Sequence, residues 1–283
     1  MNAMQAAARQ AVILYGVRLP YHRGKWRVID GALRVFRLDG PHASGMVEAE
    51  RAGFRFAFDL GRYLDRTIYY HGGFESHDVR AARALVPAGG VALDVGANIG
   101  WWTLHLHRWV GAAGRVLAFE PDASERARLE RNLALNHAAN VEVSPQAVSD
   151  TTGRVWLSPT FDGGTTHIVD DERAAGASVE ATTVDAVVER AGLARVDFVK
   201  CDIEGAETRF LAGAAETVRR FRPVMMLELF EPNLRQFGSS RAELVARLRE
   251  LGYALHVAHW GRMREMRELP AAHDNVNVFA FPR

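Results

Sequence analysis

Apolar residues change their spacing near residue 75. Before that point, "GKWRVIDGALRVFRLDG" and "GFRFAFDLGRYLDRTIYYHGGF" carry short alternating runs of Val, Phe, Arg and Tyr broken by glycine. A period of two predicts short antiparallel strands, so residues 1–74 read as a small β-rich cover segment, preceded by a helix near Met4–Tyr15. From Glu75 onward, short apolar runs alternate with amphipathic stretches. "VALDV", "RVLAFEP", "VEVSPQAV", "VDFVKCD" and "PVMMLEL" read as buried strands. "IGWWTLHLHRWV", "ASERARLERNLALN" and "AETRFLAGAAETVRR" have helical spacing, and Asp122 with Glu125 has the form of a capping box. A helix at Arg241–Leu251 leads to two last strands, "YALHVA" and "NVNVFAF", close enough in sequence to make an antiparallel edge.

Alternation of strand and helix predicts an α/β fold over residues 75–283, with a mostly parallel sheet covered on both faces. One interruption stands out. Residues 151–183 include "PTFDGGTTHIVDDERAAGAS", polar and glycine-rich, as expected of an insertion or lid over a site.

Composition restricts the partners. The chain has 283 residues, 48% hydrophobic and 24% charged, and its 35 basic and 34 acidic side chains nearly cancel. Nucleic acid is not the expected partner, since phosphate binding needs a concentrated positive surface. No apolar run approaches the roughly 20 residues that span a bilayer, so no membrane partner is expected. The single cysteine, Cys201, cannot form an intrachain disulfide, and the N-terminus lacks a basic leader. Both features fit a cytoplasmic protein acting on a small molecule.

The stretch "VALDVGANIGWW" carries the chemistry. In an open α/β sheet, ligands bind beyond the carboxyl ends of the strands, and "DVGANIG" lies between the first core strand and its helix. Gly96 permits a tight turn, and Gly100 lets the helix start close to a ligand. The pattern is D-x-G-x-x-x-G, whereas the dinucleotide fingerprint is G-x-G-x-x-G. Asp94 would repel a pyrophosphate and attract a ligand bearing an ammonium and a sulfonium. Glu120 closes the next strand, where a carboxylate can accept from both ribose hydroxyls of either a nicotinamide or an adenosyl cofactor. Asp94 tips the choice toward the adenosyl ligand.

Taken together, "LDVGANIG", "AFEPD", "QAVSD", "VKCDIEGAE" and "RPVMMLELF" resemble the FkbM family of S-adenosylmethionine-dependent methyltransferases. The likeness covers about Phe74–Phe230 and extends loosely to "NVFAF". It implies the Rossmann-like class I methyltransferase fold, a seven-stranded sheet whose last strand is antiparallel. By position it implies that Asp94, Gly96, Asn98 and Gly100 hold the methionine part of the cofactor. Glu120 would take the ribose, Pro121 and Asp122 would flank the adenine, and Val148 and Asp150 would reach its edge. Glu75 matches the acid of an aromatic-Glu pair near the cofactor's amino-acid end. Phe74 departs from the usual Tyr, and Cys201 from a small aliphatic residue.

Methyl transfer is an in-line displacement, and a hydroxyl acceptor also needs a base. Asp202 and Glu204, on a tight turn after the fourth strand, are two candidates; His167 in the interruption is a third. Against these roles, Glu204 can cap the following helix, and Asp202 can simply bond backbone or cofactor. His259 is a further candidate base, while His105 and His107 on the first helix read as packing or surface residues. Trp101 and Trp102 read as core. No ligand spacing supports a metal site. The resemblance implies oxygen as the acceptor atom, on a sugar or natural product. Two rival readings stand beside it, a nicotinamide-dependent oxidoreductase and a non-catalytic cofactor-binding scaffold.

Overall fold

A computed structural model describes the chain except for residues 1, 2, 20, 21, 23, 39–44, 159–167, 170–175, 272 and 273. Its N-terminal part runs α1 (Ala3–Arg18), α2 (Lys25–Val35), β1 (Met46–Arg51), β2 (Phe54–Asp59) and α3 (Tyr63–His71). The expectation of a β-rich segment is corrected here: among the described residues of this segment, β1 and β2 form a hairpin and the other elements are helices. In α2 the buried residues are Lys25, Ile29 and Leu33, spaced four apart, so the helical period prevails over the local alternation. The Lys25 ammonium donates to the carbonyls of Gly16 and Leu19 at 2.7 and 2.5 Å, which ties α2 to the end of α1. In α3 the consecutive residues Thr67, Ile68, Tyr69 and Tyr70 are all buried. The strand pattern survives in β2, where Phe54, Phe56 and Phe58 are buried. Residues up to Glu75 form one compact unit together with Ala134–Asn136, and the second unit starts at Ser76.

The second unit begins with α4 (Ser76–Ala82) and alternates β3 (Val91–Val95), α5 (Trp101–Val110), β4 (Arg115–Phe119), α6 (Ala123–Leu135) and β5 (Val141–Ser144). Short strands β6 (Ala147–Val148), β7 (Gly153–Leu157), β8 (Ile168–Val169) and β9 (Ala177–Thr182) follow. Alternation then resumes with α7 (Val184–Arg190), β10 (Phe198–Cys201), α8 (Glu207–Gly213), α9 (Ala215–Phe221) and β11 (Val224–Leu229). The chain closes with α10 (Glu231–Gln236), α11 (Arg241–Glu250), β12 (Tyr253–His259), β13 (Arg262–Glu265) and β14 (Val276–Pro282).

The main sheet has the order β13-β12-β14-β11-β10-β3-β4-β5. Strands β11, β10, β3, β4 and β5 are mutually parallel, and β14 runs antiparallel between β11 and β12. The α/β class and the antiparallel last strand are as expected. The sheet has eight strands where seven were expected, the extra one being β13, which extends β12 as a hairpin. The last strand does not form the edge; it inserts beside β11, and β13 is the edge. Leu93, Phe119, Val199, Phe210, Met225 and Leu248 belong to the principal core between this sheet and its helices.

Two further departures lie around the third strand. "VEVSPQAV" is not one strand: it breaks at Pro145, which has no N–H to continue a ladder, and β6 joins a separate four-stranded sheet of order β6-β9-β7-β8. That second sheet occupies much of the interruption expected to be a loop, with β7 and β9 paired antiparallel from Gly153↔Ala181 to Leu157↔Ala177.

Candidate cofactor-binding and catalytic site

Strand β3 has β4 on one side and β10 on the other, so the connection leaving β3 stands at the point where the strand order reverses. The loop there is shaped by contacts at its base. Gly96 has φ +82°, and a Cβ at this position would lie 1.9 Å from the Asp202 carbonyl oxygen. Only glycine tolerates both the backbone angle and that approach. The N–H groups of Gly96 and Ala97 both donate to the Phe119 carbonyl, at 3.1 and 3.0 Å. Asn98, at φ +49°, donates its N–H to Glu120 Oε2 at 2.8 Å. Gly100 ends the loop as the residue before α5.

Asp94 lies behind this loop with no solvent exposure. Thr103 Oγ1 donates to its Oδ2 at 2.6 Å, and the Lys200 ammonium stands 3.7 Å from its Oδ1. Burial raises the Asp94 carboxyl above its ordinary range, opposed chiefly by the Lys200 charge and then by the Thr103 bond. The carboxylate therefore supports the loop from beneath. Lys200 is itself only 3% exposed; it donates to the Gly96 carbonyl at 2.7 Å and lies 3.4 Å from Asp202 Oδ2.

Glu120 joins the two loops at the carboxyl ends of β3 and β4. Its Oε2 accepts from Asn98 and its Oε1 from the Asp122 N–H at 2.9 Å. Burial pushes its carboxyl up to about 7, against the pull of the two backbone donors. Arg126 from α6 donates to the carbonyls of Glu120 and Pro121, which fixes the turn. Asp122 Oδ1 accepts from the N–H groups of Ser124 and Glu125, so Asp122 caps α6. Glu125 pairs with Arg128 at 2.8 Å. Val148 is buried in the principal core, and Asp150 is exposed, its Oδ1 accepting from Ser149 Oγ at 3.0 Å. Glu75 belongs to the first unit, where its φ is +46°.

Beyond β10 the acids gather. Asp202 has a side chain 25% exposed and a backbone N–H that donates to the Val95 carbonyl at 3.0 Å. Glu204, at φ +56°, accepts from Asn233 Nδ2 at 2.5 Å, so it bonds α10 rather than capping α8. The turn is held instead by Glu207, whose buried Oε1 accepts from the N–H groups of Ile203 and Gly205 at 3.1 and 3.3 Å. Burial lifts the Glu207 carboxyl to about 7. On the neighbouring strand, Glu228 accepts from Asn275 Nδ2 at 2.8 Å. Burial raises its carboxyl far above the ordinary range, and the charges of Asp202, Glu204 and Glu207 raise it further. Asn277, opposite Glu228 in the register, donates to Asp78 Oδ2 at 3.3 Å, and burial lifts Asp78 to about 6.

The histidines separate. His167 lies outside the described residues. His259 ends β12, beside the half-exposed Trp260; β12 is three strand spacings, roughly 14 Å, from β10. His105 is buried against Trp101 and Trp109, and burial drives its imidazole down to about 3. His107 bonds Asn140. Trp101 and Trp102 are buried, as expected. Among the described residues no group of three or more His, Cys, Asp or Glu could hold a metal ion, and no helix is long and apolar enough to cross a membrane.

Sequence reasoning missed Lys200, Glu207 and Glu228. Lys200 alone left a signal, as a single charge inside the apolar run "FVKC".

The model of the methyltransferase FkbM domain matches residues 94–255, more than half of the chain. Methyltransferase sdnD of Sordaria araneosa is 29% identical over 240 residues, which are 74% of this chain and 88% of that protein. AMB antimetabolite synthetase AmbE of Pseudomonas aeruginosa is 30% identical over 192 residues, 54% of this chain but 9% of its own length. Among solved structures, the methyltransferase FkbM of Methylobacillus flagellatus is 16% identical with a TM-score of 0.46. That alignment covers 98% of this chain and 59% of the other, so the chain spans little more than half of that protein. The family decides between the adenosyl and nicotinamide cofactors that Glu120 left open. The chain belongs to the FkbM family of S-adenosylmethionine-dependent methyltransferases.

Proposed function

We propose that the chain methylates a hydroxyl oxygen of a small molecule, a sugar or a natural product, with Asp202 taking the proton. The residues fit the cofactor. The loop of Gly96 to Gly100 lies at the strand ends, its first residue packed so closely on the Asp202 backbone that only glycine fits. Asp202, partly exposed beside the loop, offers a carboxylate that suits a ligand with an ammonium and a sulfonium. Asn98 and Gly100 would shape the site for the methionine end, Glu120 would accept from the ribose, and Pro121, Asp122, Val148 and Asp150 would border the adenine. When bound, the cofactor supplies an activated methyl group.

The observation that carries the choice of base is the position of Asp202. It is the partly exposed carboxylate at the end of the central strand, beside Gly96, with its charge held by Lys200. Asp202 would accept the proton of the acceptor hydroxyl as that oxygen takes the methyl group the cofactor supplies. Glu204 accepts from Asn233 of α10, and Glu207 holds the turn. The name of AmbE, an antimetabolite synthetase, supports a natural-product acceptor for this chain.

The test is transfer of radiolabelled methyl from S-adenosylmethionine to a panel of hydroxylated sugars and natural products, with product NMR to locate the methyl group. Label on oxygen, lost by about a hundredfold or more in Asp202→Asn, is the expected outcome. Label on nitrogen or carbon overturns the oxygen assignment, and full turnover by Asp202→Asn removes Asp202 as the base.

A further inference from the structure

Lys200 sits on a strand whose residues Phe198, Val199, Lys200 and Cys201 are all buried. A buried ammonium is unfavourable unless it is paired and hydrogen-bonded, so its partners describe its purpose. Nζ lies near oxygens of Gly96, Asp202 and Asp94. It donates to the Gly96 carbonyl at 2.7 Å, lies 3.4 Å from Asp202 Oδ2 and lies 3.7 Å from Asp94 Oδ1. The register explains the meeting: Lys200 stands opposite Asp94 on adjacent parallel strands, so both side chains leave the same face of the sheet.

Each oxygen belongs to a different part of the site. Asp94 Oδ1 is buried and accepts no hydrogen bond of ordinary length, while Thr103 serves the other oxygen, so the ammonium charge compensates it. Gly96 opens the glycine loop, and its N–H is already committed to Phe119. With its carbonyl bound to Lys200, Gly96 is held on both its N–H and its C=O sides. Asp202 begins the turn after β10.

We propose that Lys200 is a positioning residue of the cofactor site, an internal cation that ties the Gly96 carbonyl to Asp94 and Asp202 and so holds the glycine loop in its binding shape. This rests on the reading that the loop and Asp202 border the cofactor. Lys200 touches the loop rather than the transferred methyl, and its loss acts through loop order.

Lys200→Met keeps the apolar stem and removes the charge and donors. Lys200→Gln keeps an amide that can donate to the Gly96 carbonyl but removes the charge. Hydrogen exchange in the absence of ligand gives the first readout. In Lys200→Met the amides of Gly96, Ala97 and Asn98 are expected to exchange at least tenfold faster, with amides of β12 and β14 unchanged. Calorimetric titration with S-adenosylhomocysteine gives the second, an affinity at least tenfold weaker in Lys200→Met and an intermediate loss in Lys200→Gln. Unchanged loop exchange overturns the proposal, and so does a uniform rise across the sheet, which would mark a merely structural lysine. If Lys200→Met does not fold, the same criteria apply to Lys200→Gln, with a threefold change as the threshold. Wild-type protein that fails to bind S-adenosylhomocysteine would refute the site reading, while the exchange pattern would still decide the role of Lys200 in the loop.

Discussion

Glu120 is a carboxylate with two obligations, since one oxygen holds Asn98 and the other holds Asp122. Glu120→Ala removes the acceptor for both loops and, on the proposed function, for a ribose. Its S-adenosylmethionine affinity is expected to fall by about 1.5–3 kcal/mol, the scale of hydrogen bonds to a charged group, in a calorimetric titration. Glu207 carries a different consequence. Its carboxyl, lifted to about 7 by burial, binds a proton more tightly in the folded chain than in the unfolded one. Stability from this group is therefore full below the unfolded value of about 4.3 and declines as pH rises to 7. Glu207→Gln keeps an acceptor for Ile203 and Gly205 but cannot ionise. Its stability relative to wild type is expected to improve between pH 5 and 8 by up to about 3 kcal/mol, read from urea unfolding at both pH values. Gly96, Gly100 and Glu120 were legible because a turn and a strand end are local features. Lys200 and Glu228 were not, because their meaning lies in partners on other strands. Asp94 is remote in sequence from Lys200, and only the pairing of β3 with β10 brings them together.

Among the elements, the central strands were read with the correct type because their apolar runs are bounded by glycine, proline or charge. Of the N-terminal helices, α1 was read as a helix near Met4–Tyr15, whereas α2 and α3 were misread as strands. In α2, Leu33 and Val35 continue into Phe36 and Leu38 with a nearly strand-like alternation, and only the positions of Ile29 and Leu33 disclose the helical face. Strands β7 and β9 were hidden by polar composition, since a small sheet can keep exposed residues such as Arg154 and Glu180 on one face. Caps offer a clean measurement at this scale. Ser240 Oγ accepts from the Glu243 N–H at 3.2 Å at the start of α11. Ser240→Ala is expected to cost about 1 kcal/mol in urea denaturation, with cofactor affinity unchanged.

For the molecule as a whole, the strand order places Gly96, Glu120 and Asp202 at one end of three adjacent strands, which no single segment contains. Ligand binding there is expected to stabilise the fold. S-adenosylmethionine at 100 times its dissociation constant contributes about 2.7 kcal/mol, which corresponds to roughly 5 °C or more in Tm. NADH at the same concentration is expected to leave the Tm unchanged. The same sheet contains the chain's one thiol. Cys201 is fully buried on β10, between β3 and β11, and burial raises its pKa well above the ordinary value. An alkylating reagent therefore finds neither access nor thiolate while the central strands stay paired. The rate of modification becomes a clock for their opening, readable by mass without any added probe. At 100 times the dissociation constant, S-adenosylmethionine should slow that clock by roughly a hundredfold if the strands open only in the unliganded chain.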